Sequence, residues 1–369
     1  MELGLGLYAR MLTRDNLAFA RQAGATAIVV HMADYTTDGP RHSHFDADAK
    51  GWDVSGARGK LWTVEELVAL RELVESEGLR LAALENLNPA LWYDVLLDGA
   101  EKQSQLEGIR TIIRRMGQAG ILCLGYNFTL AGVWGPRRLP SGRGGAGASS
   151  FDAADPVVQK PIRNGEVWNR VYDPTAPEGV LAPVSREALL RRHRDFLAAV
   201  LPVAEESGVV LAAHPDDPPL ETVRGQARFM HRPLHFREMV DSYPSPSNRI
   251  ELCIGTVAEM PGADVYTLAE DLARGGHIGY VHFRNVRGQV PTYTESFVDD
   301  GDVDMPRVLA ALCRGGFSGV LIPDHTPLMT CGAPWHAGMA FALGYMRAAL
   351  RAAETDSNRE FQLEASPCR

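Results

Sequence analysis

Short, unbroken apolar runs alternate with stretches of helical periodicity along the whole chain, and this constrains the fold more than any other feature. The runs at 3–8 ("LGLGLY"), 27–32 ("AIVVHM"), 80–86 ("RLAALEN"), 121–128 ("ILCLGYNF"), 209–214 ("VVLAAH"), 249–255 ("RIELCIG"), 278–286 ("IGYVHFRNV") and 319–325 ("GVLIPDH") each read as a strand buried on both faces. Between them lie helical segments with recognisable punctuation. "TRDNLAFARQAG" opens on a threonine cap, "TVEELVALRELVESEG" carries a capping box from Thr63 to Glu66 and stops at Gly78, and 185–208 runs from a serine cap to a glycine. Eight strands separated by helices predict an α/β fold, a (β/α)8 TIM barrel, with a doubly wound sheet as its rival. Residues 1–355 are expected to form this single barrel and 356–369 a C-terminal tail. The irregular segment 129–184, which contains "GPRRLPSGRGGAGASS", is a long insertion after strand four. Loops that follow strands emerge at the C-terminal face of a barrel, so the insertion is expected to act there as a lid or as a contact between copies.

The ends of the last four strands carry chemistry. Strand five ends at His214, strand six carries Cys253, strand seven His282 and strand eight Asp324, each roughly one βα unit from the last. Singly, each has an ordinary explanation: a small buried thiol, a hydrogen-bonded core histidine, a turn-capping carboxylate. Delivered together to one rim, imidazole, thiolate, imidazole and carboxylate form a donor set for one divalent transition ion, Mn²⁺, Fe²⁺, Co²⁺ or Zn²⁺. His325 follows Asp324 and titrates near neutral pH, which makes it the candidate for proton transfer. Arg284 and Asn285, next to His282, together with Asn127, Glu85, His31 and His336, are candidates for binding substrate oxygens.

Composition excludes several classes. The net charge is −9 and the basic residues are scattered, so no nucleic-acid partner is expected. No apolar run is long enough to span a bilayer, so no membrane partner is expected. Five cysteines without a CxxC pair argue against a secreted disulfide framework and point to a reducing cytoplasm. A homo-oligomer is the expected assembly.

"HPDDPP", "LCIGT", "VHFRNV", "GDVDM" and "IPDHTP", in order through the second half, with "RQAGATAIVV" and "GILCLGYNF" in the first, resemble the mannonate dehydratase family of xylose-isomerase-like barrels. The resemblance implies conversion of D-mannonate to 2-keto-3-deoxy-D-gluconate and water with a divalent metal, commonly manganese. It implies metal ligation by His214, Cys253, His282 and Asp324 and an acid/base role for His325. The chain departs from the family at "CGAPWHAG", where Pro334, Trp335 and His336 replace a tyrosine-bearing element, and at Val298, which replaces a histidine. A sugar or sugar-acid isomerase or epimerase of the same barrel type, and a non-catalytic protein that binds metal and sugar acid, are the alternative readings.

Overall fold

The computed structural model describes residues 1–32, 61–133 and 137–364, with side chains described as far as residue 353. Eight parallel strands close into a barrel: β1 (Glu2–Tyr8), β2 (Ala27–His31), β3 (Arg80–Glu85), β4 (Cys123–Tyr126), β5 (Val210–Ala213), β6 (Asn248–Cys253), β7 (Ile278–His282) and β8 (Val320–Ile322). Each strand pairs with its neighbours in sequence and β8 returns to β1. The principal helices that follow them are α1 (Arg14–Gln22), α2 (Val64–Ser76), α3 (Lys102–Gln118), α4 (Arg186–Ser207), α5 (Pro233–Ser242), α6 (Val265–Arg274), α7 (Met305–Arg314) and α8 (Pro334–Glu364). The barrel predicted from the apolar alternation is the fold observed, and the doubly wound sheet is excluded by its closure.

Local chemistry sets the helix ends. Thr63 accepts from the Glu66 amide while Glu66 accepts from the Thr63 amide, so two donors at the start of α2 are satisfied reciprocally. Ser185 caps α4, and Gly208 ends it with φ 66°, a left-handed conformation that costs glycine little. Helix α8 runs through the first part of the expected tail to Glu364; residues 365–369 lie outside the described residues.

The lower barrel is filled by small and branched side chains, Ala27, Val29, Ala83, Ala212, Val320 and Ile322, which pack around Tyr280. Burying each of the larger ones contributes about 1.5–3 kcal/mol. Gly125 is required where the polar layer begins, because a Cβ there would collide with the Tyr280 hydroxyl and the Glu251 carboxylate.

Within 129–184, Ala148–Asp152 pairs with Arg137–Leu139 and with Thr292–Ser296, the second strand of a hairpin whose first strand is Asn285–Gln289. The apolar run at 278–286 is therefore two elements. The barrel strand ends at His282, and the chain turns at Phe283 and Arg284 into the hairpin. A bridge between Gly147 and Leu328 ties the insertion to the loop after β8. Among the described residues, no helix is long and apolar enough to cross a membrane.

Candidate metal centre and active site

His214, Cys253 and His282 converge: one donor atom from each lies within 4.8 Å of the others. Cys253 and His282 are direct register partners on β6 and β7, and His214 extends β5, whose pairing with β6 places it alongside. The orientation of each ring is fixed from behind. His214 Nδ1 donates to the Pro215 carbonyl at 2.6 Å, which leaves Nε2 as the nitrogen free to serve as a donor atom. His282 Nε2 lies 3.1 Å from Glu85 Oε2 and 3.0 Å from Glu251 Oε1. Its Nδ1 is buried without a hydrogen-bond partner, and Asp324 Oδ2 stands 3.5 Å away. Carbonyl or carboxylate on one ring nitrogen and an open lone pair on the other is the arrangement that metal-binding histidines require.

Asp324 completes the rim in a left-handed backbone conformation, φ 58°, which aspartate tolerates better than most residues. Its Oδ2 is also 3.1 Å from Arg284 Nε. The four sequence-predicted ligands are thus brought to one place, and their chemistry fits a divalent ion.

Charge leads to the same conclusion. Arg284 is buried, and around it stand Asp217 (2.6 Å), Glu259 (3.0 Å), Glu295 (2.9 Å) and Asp324, with Cys253 Sγ 3.5 Å from a guanidinium nitrogen. One guanidinium faces four carboxylates and a thiol, of which burial and Asp217 push Glu259 well above the usual carboxylate range, and the anionic donors that remain beside it are of the kind a cation takes. Burial raises the Cys253 pKa, but Arg284 and His214 override it and hold the group well below the ordinary thiol range. Burial likewise opposes ionisation of Asp324, but His325 and His282 hold it well below the usual carboxylate range. Both are thereby poised as anionic ligands.

His325 stands beside Asp324. Its Nδ1 meets Glu295 at 3.0 and 3.1 Å, and desolvation is outweighed by Asp324 and Glu295, which raise its pKa to about 9. Asn127, just beyond β4, is buried with both polar atoms of its carboxamide unpartnered. An unsatisfied buried amide is costly unless something else is to bind it.

Two residues expected to meet the substrate are engaged with protein groups. Arg284 spends its two terminal nitrogens on Asp217, Glu259, Glu295, Thr256 and Cys253 and turns Nε to Asp324, so it braces the centre. Asn285 faces the other way: its amide donates to the Val298 and Val303 carbonyls and its oxygen accepts from Val286 and Val303, which pins the loop after the hairpin. Glu85 accepts from His31, Tyr280 and Asn86 as well as facing His282, and so holds that imidazole from within the barrel. His31 is held through Nδ1 by that carboxylate at 2.9 Å. His336 lies against the Phe19 ring with Nε2 2.9 Å from Asn16 Oδ1.

Sequence reasoning missed Glu251, Glu259 and Glu295. Glu251 was within reach, because it precedes Cys253 by two positions on a strand and therefore shares its inward face. Glu295 carried no such signal: it arrives on the return strand of a hairpin.

A family model described as D-mannonate dehydratase (UxuA) matches residues 1–348. The chain belongs to the D-mannonate dehydratase family. Curated relatives include the mannonate dehydratase of Streptococcus pneumoniae, 29% identical over 279 residues that make up 72% of this chain and 75% of that protein. That of Enterococcus faecalis is 28% identical over 289 residues, 72% of this chain and 78% of its own. Among solved structures, mannonate dehydratase from Streptococcus suis serotype 2 superposes with a TM-score of 0.78 at 24% identity, covering 97% of this chain and 95% of that one. An L-ribulose 3-epimerase shares the fold at a TM-score of 0.54 and 14% identity, covering 99% of each chain.

Proposed function

We propose that this member of the D-mannonate dehydratase family removes water from a sugar acid, converting D-mannonate or a closely related aldonate to the 2-keto-3-deoxy acid. A divalent ion, manganese first, would be held by His214 Nε2, Cys253 Sγ, His282 Nδ1 and Asp324. The observation that carries this reading is the convergence of His214, Cys253 and His282 around a buried, unpartnered His282 Nδ1, with Asp324 and His325 beside it.

When bound, the metal supplies the Lewis acidity that lets a carboxylate bear the negative charge developing as its α-carbon loses a proton. The remaining work falls to the chain. Glu85, Glu251 and the Pro215 carbonyl fix the two imidazoles, and Arg284 keeps Cys253 and Asp324 anionic and in place. His325, whose Nδ1 is engaged, exchanges a proton with the substrate through Nε2. Asn127 offers an amide to substrate hydroxyls. The insertion 129–184, paired with the hairpin after β7, covers the mouth and keeps water from the reacting carbons.

The test is to incubate the manganese-loaded protein with a panel of aldonates and aldoses and follow the products by mass. Loss of water with appearance of a 2-keto-3-deoxy acid is expected for at least one aldonate. An isobaric product would identify an isomerase or epimerase instead. A fully metal-loaded protein that leaves every compound unchanged would reduce the reading to sugar-acid binding.

A further inference from the structure

We infer that Glu295 is a positioning residue for proton transfer: it fixes His325 with Nδ1 as the donor and Nε2 turned to the substrate. The inference rests on the dehydratase reading of the site and adds a residue that this reading does not use. Both carboxylate oxygens of Glu295 lie within 3.1 Å of His325 Nδ1. The carboxylate is itself immobilised, because Arg284 donates to Oε1 at 2.9 Å and the side chain is nearly buried.

The backbone beneath it is held as firmly. Glu295 lies on Thr292–Ser296, the inner strand of the four-stranded sheet, between the hairpin partner Asn285–Gln289 and Ala148–Asp152 of the insertion. Tyr293, two residues earlier on the same face, donates to Asp217 at 2.8 Å. An imidazole carries one proton when neutral, and a carboxylate on one nitrogen decides which nitrogen keeps it. With Nδ1–H spent on Glu295, Nε2 is the ring nitrogen left to exchange a proton with the substrate, and the adjacent carboxylate stabilises the imidazolium. Asp324 does not fix Nδ1: its Oδ1 stands 3.5 Å from Nε2, beyond hydrogen-bond distance, and its Oδ2 faces His282 and Arg284.

The experiment compares Glu295→Ala, Glu295→Gln and, as a control on the opposite face of the same strand, Thr294→Val, which removes only the 3.0 Å hydroxyl contact with Ser150. In the manganese-loaded enzyme, Glu295→Ala is expected to lose about 10²-fold in kcat, with KM and bound metal within threefold of wild type. Glu295→Gln, whose amide oxygen still accepts from Nδ1–H, should recover at least tenfold of that loss. Thr294→Val should keep wild-type kcat. Nitrogen-15 spectra of the imidazoles supply a readout independent of turnover: the Nδ1–H signal of His325 should be present in wild type and lost in Glu295→Ala.

The inference is overturned if Glu295→Ala retains kcat within threefold, if the loss falls on KM or metal content, if Thr294→Val loses as much, or if the His325 spectrum does not change. A wild-type enzyme inactive on every aldonate but showing the expected spectra would defeat the dehydratase reading and leave the Glu295–His325 pairing standing.

Discussion

Asn127 and His193 show how single residues carry information beyond their contacts. A buried carboxamide with neither end satisfied destabilises the free protein, by about 1–3 kcal/mol for such a group. Asn127→Leu is therefore expected to raise the melting temperature while raising KM for the sugar acid about tenfold or more; a variant that is more stable with an unchanged KM would remove Asn127 from the binding site. His193 is buried among Tyr126, Phe128, Phe196 and Phe229, and its Nε2 lies 3.0 Å from the Tyr126 hydroxyl. Burial, then Arg194, lowers its pKa to about 3. Between pH 6.5 and 3 the unfolded chain binds a proton at this position that the folded one refuses, so stability falls as pH falls through that window, by up to about 1.4 kcal/mol per pH unit. Urea unfolding of His193→Gln at pH 7 and pH 5 should show a shallower loss than wild type; identical slopes would mean that His193 is not the group responsible.

At the scale of elements, the loops after β4 and β5 are locked together by a residue that touches neither the candidate ligands nor His325. Arg228 is fully buried and donates to the Thr129 hydroxyl, the Gly132 carbonyl and the Asp217 carbonyl, with Nε 3.2 Å from Asp216. Asp216 in turn accepts from the backbone amides of Phe229 and Met230, at 2.8 and 2.7 Å respectively. Removing one member of a buried ion pair leaves the other uncompensated, at a cost of about 3–5 kcal/mol. Arg228→Met is expected to lose that much in urea unfolding and to loosen the start of the insertion, seen as faster amide exchange at 129–133; a loss under 1 kcal/mol would show that the lock is dispensable. The double aspartate of "HPDDPP" is explained by the same geometry. Asp216 holds the loop after β5 through Arg228, and Asp217 reaches Arg284, Thr256 and Tyr293.

For the whole molecule, the surplus of buried carboxylates makes stability and metal binding one property. A ligand that binds only the folded state adds about 2.7 kcal/mol at a concentration one hundred times its dissociation constant. Mn²⁺ is expected to raise the melting temperature of the metal-free protein and chelation to lower it, with the increment strongly reduced in Asp324→Asn; a melting temperature indifferent to Mn²⁺ would mean the centre holds no ion. The barrel and its helix starts at Thr63 and Ser185 were determined by the sequence alone, which also nominated the four candidate ligands. Strand periodicity and one-per-unit spacing are local properties, and a parallel barrel converts them directly into a ring of side chains at one rim. Glu295, the commitment of Arg284 to carboxylates, and the turning away of Asn285 were decided only by the tertiary structure. They depend on a hairpin folding back across the barrel mouth and pairing with an insertion far away in sequence, and no local pattern encodes which side chain such a return places against His325.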